Sequence, residues 1–182
     1  MRGKRKPRRN TLGSGLRFVR FSTSRKVAGS FGPTENRTDR RPDPSASYTL
    51  MKVIFFDRQE ASNPHNNEVV DGTTELLDIL ESLRDRNPFF CELVGDDGFN
   101  LLLGIGGDRS CAQYSAGDGN TPYLMARLER NTEADGYEEF LINDTITPVP
   151  NRYSIPFETA KEVATHFLKT GQRSPLVLWE EI

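Results

Sequence analysis

Residues 101–115 have the sequence LLLGIGGDRSCAQYS, and this stretch decides how the rest of the chain is interpreted. An apolar run comes before Gly106-Gly107-Asp108, and a second β-prone segment follows. Gly-Gly and Asp-Gly steps favour tight turns with positive φ, which is the geometry that joins neighbouring antiparallel strands. The stretch therefore predicts a hairpin at the centre of an antiparallel sheet.

Two catalytic interpretations of the same stretch are weaker. A phosphate-binding loop needs a Gly-Lys-Ser/Thr sequence or glycines that open a helix, whereas the segment DRSCAQYS that follows these glycines is typical of a strand. A nucleophilic Cys111 would need a histidine beside it, and nothing in the sequence brings His65 or His166 there. We therefore interpret Cys91 and Cys111 as small buried hydrophobes and predict no catalytic residue.

The same four residues could in principle bind a metal ion. Positions 65, 91, 111 and 166 lack the paired C-x₂₋₄-C or H-x₃₋₅-H spacing that prepares a zinc site. No other motif indicates a bound group. We therefore predict no metal, no cofactor and no small-molecule substrate.

The pattern outside the hairpin predicts an α+β fold, with an antiparallel sheet of about six strands, a meander, packed with two helices. Amphipathic spacing predicts helices at 71–86, with Thr73 or Asp71 as N-cap, and from about 156 to 170. Residues 51–56 and the segment LVLWEEI after Pro175 also have strand character. The predicted strands of the meander are 89–94, 100–105, 109–115, 123–129, 138–143 and 146–153.

The formal net charge of −2 hides two halves of opposite sign. Residues 1–50 contain 13 basic and three acidic residues, a net charge of +10, whereas residues 51–182 contain 11 basic and 23 acidic residues, a net charge of −12. The first fifty residues are predicted to form a disordered basic tail, and 51–182 a folded domain. Four interpretations of the tail stay open: a nucleic-acid-binding arm, a transit peptide, a translated region upstream of a start at Met51, or a solvated tail without a role.

The chain is expected to be soluble and cytoplasmic. Two cysteines cannot form a disulfide framework, and no apolar run approaches the roughly 20 residues that span a bilayer. No secretory apolar region follows the basic start.

A compact acidic domain repels anionic membranes and nucleic-acid phosphates, so its expected partner is a basic protein surface.

Acidic and aromatic residues in the turns are the candidates for binding that partner. Carboxylates orient a basic surface and aromatic rings supply contact area. The alternative is that each aspartate serves its own turn by a side-chain hydrogen bond. The predicted partner-binding residues are Asp96, Asp97, Asp118, Tyr123, Asp135 and Tyr137.

The order of LLLGIGGDRSCAQYS, DGNTPYLMA, ITPVPNRYSIPFETAKEVATHFLKTGQRSP and VLWEE resembles the Imm-one family of immunity proteins of bacterial polymorphic toxin systems. The resemblance covers about residues 51–182. It implies a small cytoplasmic α+β protein that binds and neutralises a cognate toxin domain, commonly a nucleic-acid deaminase, and it supplies no catalytic position. The family-pattern positions in this sequence are Gly106, Gly107, Asp118, Gly119, Pro122, Gly171 and Trp179.

Taken with the charge, the resemblance predicts a non-enzymatic inhibitor that occludes the basic active cleft of a toxin. The domain lacks the H-x-E and P-C-x-x-C pattern of the deaminases themselves. Two other classes stay open: a small nucleic-acid-associated protein that uses the basic tail, and a small enzyme that uses Cys111.

Overall fold

The computed structural model describes residues 51–129 and 135–182, and the predicted disordered tail lies outside them. The described residues form the predicted α+β fold, with ten strands in one sheet and two helices. The strands are β1 (Val53–Asp57), β2 (Val69–Val70), β3 (Phe89–Gly95), β4 (Phe99–Gly106), β5 (Arg109–Ala116), β6 (Tyr123–Arg127), β7 (Tyr137–Ile142), β8 (Thr145–Pro150), β9 (Ile155–Pro156) and β10 (Leu178–Glu181). The helices are α1 (Thr73–Leu83) and α2 (Phe157–Thr170).

The main path of the sheet runs β10-β6-β5-β4-β3-β1-β2, and every pair along it is antiparallel. Strands β3 to β6 are the first four of the six predicted meander strands, and the last two correspond to β7 and β8. The count of about six strands was too low: β1 and β2 extend the sheet beyond β3, and β10 extends it beyond β6. Strands β7 and β8 form a hairpin off the main path, and β9 adds two residues beside β5.

The central hairpin is formed as the glycines predict. Gly106 pairs with Arg109 across the β4–β5 turn, and Gly107 has φ +65°. A Cβ on Gly106 would lie 2.5 Å from the Cα of Pro88, closer than real side chains come. These glycines therefore serve the turn and the close approach of two backbones, and no helix opens after them.

One face of the sheet packs against both helices. Alternate residues of the central strands point to this face, as strand geometry requires, and they are fully buried. Each such leucine stabilises the fold by about 1.5–3 kcal/mol through its buried apolar surface. The helices contribute Leu76, Ile79, Leu80 and Leu83 from α1 and Phe157, Ala160, Val163, Ala164, Phe167 and Leu168 from α2.

The predicted N-cap of α1 was wrong. Gly72 occupies the N-cap position, and no side chain there bonds the first turn. Glycine is tolerated at this position because it adopts the extended cap conformation without competing for the free N–H groups. Neither described helix is long and apolar enough to cross a membrane.

The second face of the sheet is half covered. The β7–β8 hairpin lies over it and forms a second apolar cluster. The tip of the hairpin is fixed to the loop after β1, where the Asn143 N–H donates to the Arg58 carbonyl over 3.0 Å and Gln59 bonds Asp144. The cluster consists of Phe90, Cys111, Met125, Phe140, Ile142, Val149 and Tyr153.

Candidate partner-binding surface

The β3–β4 turn places two aspartates at one end of the sheet. Asp96 and Asp97 are exposed, and Gly98 closes the turn with φ +88°. The Phe99 N–H donates to Asp97 Oδ1 over 3.1 Å, which is the local side-chain bond that aspartate makes in turns. Asp97 thus has a turn role, while the side chain of Asp96 makes no hydrogen bond with a described residue.

The β5–β6 loop brings a third aspartate to the same end. The Gly117 N–H donates to the Gly98 carbonyl over 2.7 Å and joins this loop to the β3–β4 turn. The Asn120 main-chain N–H, and then its side-chain amide, donate to Asp118 and hold the pKa of that carboxyl below its ordinary value. The Tyr123 hydroxyl donates to the Gly119 carbonyl, so the tyrosine stiffens the loop that carries Asp118.

The end of α2 supports the β3–β4 turn from the helical side. Gly171 has φ +68° and its N–H donates to the Phe167 carbonyl over 2.7 Å, which ends the helix. The Tyr114 hydroxyl donates to the Gly171 carbonyl over 3.2 Å. Burial, and then the negative charge of Asp97, raise the pKa of Tyr114 to about 12, so its hydroxyl remains a donor at neutral pH.

The structure divides the six predicted residues between the two ends of the sheet. Asp96, Asp97, Asp118 and Tyr123 lie together, and we call this surface the acidic end. Asp135 and Tyr137 lie near the β4–β5 turn instead, because the neighbouring Glu138 is 3.1 Å from Arg109 at the start of β5. Eight-residue strands separate the two ends by about 25 Å.

Charge pairing distinguishes the acidic end from other carboxylates of the domain. None of its three aspartates forms an ion pair with a described residue. Glu92, by contrast, bonds Arg58, whose Nε lies 2.8 Å away, and accepts from Asn100 Nδ2 over 2.9 Å. Asp57 is 2.5 Å from Arg86. The acidic end thus presents three carboxylates that form no ion pair with a described residue, on loops that hydrogen bonds hold in place.

Asp57 fixes the loop between β1 and β2. Its carboxylate is fully buried and accepts from the N–H groups of Gln59 and Glu60, each over 2.8 Å, and from Asn63 Nδ2 over 2.8 Å. Burial raises the pKa of Asp57, but the bonds from Asn63, Arg86 and the two N–H groups outweigh burial and leave the pKa below its ordinary value. A shallow groove of about 450 Å³ lies beside this loop, and the loop's side chains line it together with the end of α1.

A row of side chains, exposed at its ends and buried at Asn100, crosses the half of the second face that no described element covers. Successive residues of the row are direct cross-strand partners, and the row runs beside the acidic end. Its two ends are apolar and its centre is polar. At about 4.8 Å per strand it is about 29 Å wide. The row consists of Val69, Ile54, Val94, Asn100, Ser115, Tyr123 and Ile182.

Sequence reasoning identified only Tyr123 of this row and missed the ion pair of Glu92 and Arg58 beside it. The sequence feature that could have revealed the pair is Glu92 within the apolar segment FFCELV. A charged residue is rarely buried unless it has a partner of opposite charge. Its partner Arg58 comes from a distant loop, so spacing along the chain does not reveal the pair.

The cysteines have the surroundings of structural residues. Burial raises the pKa of the Cys91 thiol far above its ordinary range, and burial raises the pKa of the Cys111 thiol to about 12. Cys111 packs in the cluster beneath the hairpin, whereas His166 is carried by α2 on the opposite face. The described residues contain no group of three or more potential metal ligands.

Comparison with known families gives one match that spans most of the domain. The family model described as Immunity protein Imm1 matches residues 61–181, which include the central meander, both helices and the acidic end. A search of curated proteins gave no match. Because the matched segment covers about two thirds of the sequence, the chain belongs to the Imm1 family of immunity proteins.

Proposed function

We propose that residues 51–182 bind and neutralise a cognate bacterial toxin domain of the nucleic-acid deaminase type, in the cytoplasm and without chemistry of their own. The acidic end carries this proposal, because it groups three unpaired carboxylates on fixed loops within the segment that matches the immunity family. Asp96, Asp97, Asp118 and Tyr123 are the proposed contact residues. Asp135 and Tyr137 would require a second contact zone.

Occlusion follows from the charge of both partners. An enzyme that acts on nucleic acid binds phosphates with lysine and arginine side chains around its active cleft. Carboxylates on a rigid loop end occupy the same cations and exclude the substrate strand. The acidic end needs little rearrangement for this role, since hydrogen bonds already hold both of its loops.

The test is coexpression of the full chain with the toxin domain encoded beside it. The expected result is survival of the cells, together with a soluble complex and loss of uracil or inosine formation in purified nucleic acid. Continued killing in the presence of soluble full-length chain would count against the proposal. Survival with undiminished deamination in the purified complex would count against occlusion of the cleft.

A charge-matched pair of variants locates the contact. Asp96→Asn, Asp97→Asn and Asp118→Asn together remove three charges. The amide oxygens of the new asparagines still accept the main-chain turn bonds at positions 97 and 118, and only the bond from the Asn120 side-chain amide is given up. The control removes three exposed and unpaired charges from the helical layer: Asp78→Asn, Asp85→Asn and Glu162→Gln. We expect the first variant to weaken binding about tenfold at low salt, chiefly by slower association, and the control to have a small effect. Equal effects would show that net charge acts without a local contact.

The basic residues 1–50 favour a second candidate, association with nucleic acid. Their net charge of +10 is sufficient for salt-dependent binding to phosphates. Under this alternative, DNA binding falls steeply as salt is raised and is lost when residues 1–50 are deleted. Weak binding that persists in the deletion variant would argue against it.

A further inference from the structure

Strand β10 forms one edge of the sheet, and no described strand pairs with its outer side. The Ile182 N–H donates to the Tyr123 carbonyl over 3.1 Å, and Glu180 and Leu178 lie opposite Met125 and Arg127. In an antiparallel ladder the main-chain groups of every second residue point to the same neighbour. The N–H and C=O groups of Trp179 and Glu181 therefore point away from β6, and no described residue bonds the two N–H groups.

The open edge is held rigidly. Trp179 Nε1 donates to the Ser174 carbonyl over 2.9 Å. The Glu180 carboxylate lies 3.0 Å from Arg127 Nε and accepts from the Tyr153 hydroxyl over 3.0 Å. A strand that is fixed before binding loses little conformational freedom on binding, which favours pairing.

The surface beside this edge is also apolar. Seven large hydrophobic side chains of the described residues are exposed, and three of them lie in and around β10: Leu176 at 58%, Leu178 at 46% and Ile182 at 38%. Proteins usually protect sheet edges with charged side chains, especially lysine, with proline, with a bulge or with a very short strand. The opposite edge, β2, has only two residues, whereas β10 has four. The charges of β10 are Glu180, which is paired with Arg127, and Glu181.

We infer that β10 pairs with an extended strand of the toxin domain, which adds to the sheet in antiparallel orientation and carries a lysine or arginine near its N-terminal end. The inference rests on the proposed function. Charge selects this occupant: the end of β10 adjoins the Tyr123–Asp118 loop, and neither Glu181 nor Asp118 has an ion-pair partner among described residues. A second copy of the domain would bring a further charge of −12 to the same edge.

The test uses the full chain and the adjacent toxin domain, inactivated by replacing the glutamate of its H-x-E motif. Glu181→Pro removes one outward N–H and leaves the ladder to β6 intact, since proline is tolerated at the open side of an edge strand. The control Glu181→Ala removes the carboxylate and keeps the N–H. We expect Glu181→Pro to raise the Kd about tenfold or more, and Glu181→Ala to raise it about threefold or less.

Amide exchange of the wild-type chain gives a second readout that does not depend on how a variant folds. The amides of Trp179 and Glu181 should exchange at least about tenfold more slowly in the complex than in the free chain. If wild type binds the toxin but neither exchange nor Kd responds, the inference is wrong while the proposed function stands. If wild type does not bind the toxin, the proposed function itself fails.

Two other occupants would overturn the inference in recognisable ways. Concentration-dependent dimers of the chain alone, abolished by Glu181→Pro, would assign the edge to a second copy. Faster exchange at Trp179 and Glu181 after deletion of residues 1–50, with no toxin present, would assign it to the basic tail.

Discussion

Replacing Gly171 by alanine should destabilise the fold by about 2–3 kcal/mol, and the matched replacement of Gly107 should cost about 1 kcal/mol. The two glycines have nearly the same backbone conformation, with φ +68° and +65°. Their surroundings differ. A Cβ on Gly107 would meet nothing within 4 Å, whereas one on Gly171 would lie 2.3 Å from both Asp97 Oδ2 and Met51 Sδ.

The magnitudes follow from these contacts. Left-handed backbone costs an alanine roughly 1–2 kcal/mol, part of which is offset because alanine restricts the unfolded chain more than glycine does. This leaves about 1 kcal/mol, common to both sites. At Gly171 the side chains of Asp97 and Met51 must also move. Rotating Asp97 gives up the hydrogen bond from the Phe99 N–H, worth about 1 kcal/mol, and displacing the half-buried Met51 accounts for the remainder.

Urea unfolding of the two variants, followed by Trp179 fluorescence, measures the difference directly. The Gly171 variant should also weaken toxin binding, because Asp97 belongs to the acidic end, whereas the Gly107 variant should bind normally. Equal losses of stability in the two variants would refute the reasoning, since they would mean that the side chains around Gly171 can move aside without a loss of free energy. A Gly171 variant that is destabilised but binds the toxin normally would show that Asp97 does not contribute to toxin binding.

Three further predictions concern the interior. Asp57 has a lowered pKa in the folded state, so its carboxylate stabilises the fold fully above its ordinary pKa. This contribution decreases below the ordinary pKa and is lost as pH falls through the lowered one. Asp57→Asn should therefore destabilise at pH 7, and its difference from wild type should shrink as urea titrations are taken down to pH 3. Cys91 and Cys111 should resist alkylation by iodoacetamide in the native chain at pH 8 and react readily in urea, which mass spectrometry would record. Rapid alkylation of Cys111 in the native chain would support the alternative that the protein is an enzyme. Leu103→Ala should cost about 2–5 kcal/mol in the same unfolding assay, because Leu103 is fully buried between the sheet and the helices.

The elements that could be predicted from sequence are those whose pattern is local. Helix α2 was predicted to within a residue, because its apolar spacing is regular and Gly171 ends it in the left-handed conformation. The meander followed from Asp-Gly and Gly-Gly turns. Strands β2 and β9 were not predicted, because two residues are too few to show the alternating pattern of a strand. Their pairing also depends on neighbours far along the chain.

The acidic end was predictable only in part, for the same reason. Turn chemistry placed the aspartates in loops between strands, but which loops share an end of the sheet depends on strand direction. The β3–β4 turn and the β5–β6 loop meet because two strands, β4 and β5, run out and back between them. The hydrogen bond from the Gly117 N–H to the Gly98 carbonyl joins the two loops. Asp135 enters through the β7 hairpin, which leaves the main path, and so it lies at the other end.

Net charge alone therefore overstates what an acidic domain offers a partner. Glu92 and Asp57 contribute to the total of −12, yet arginines and buried hydrogen bonds neutralise them locally, and their carboxylates stabilise loops. The unpaired aspartates of the acidic end present their charge to solvent. A basic cleft responds to the charges that remain unpaired near its own surface, since charges beyond about 8–10 Å are screened at physiological salt. Under the proposed function, specificity among immunity proteins of similar net charge follows from which carboxylates the sheet leaves unpaired, and from the residues that lie beside them.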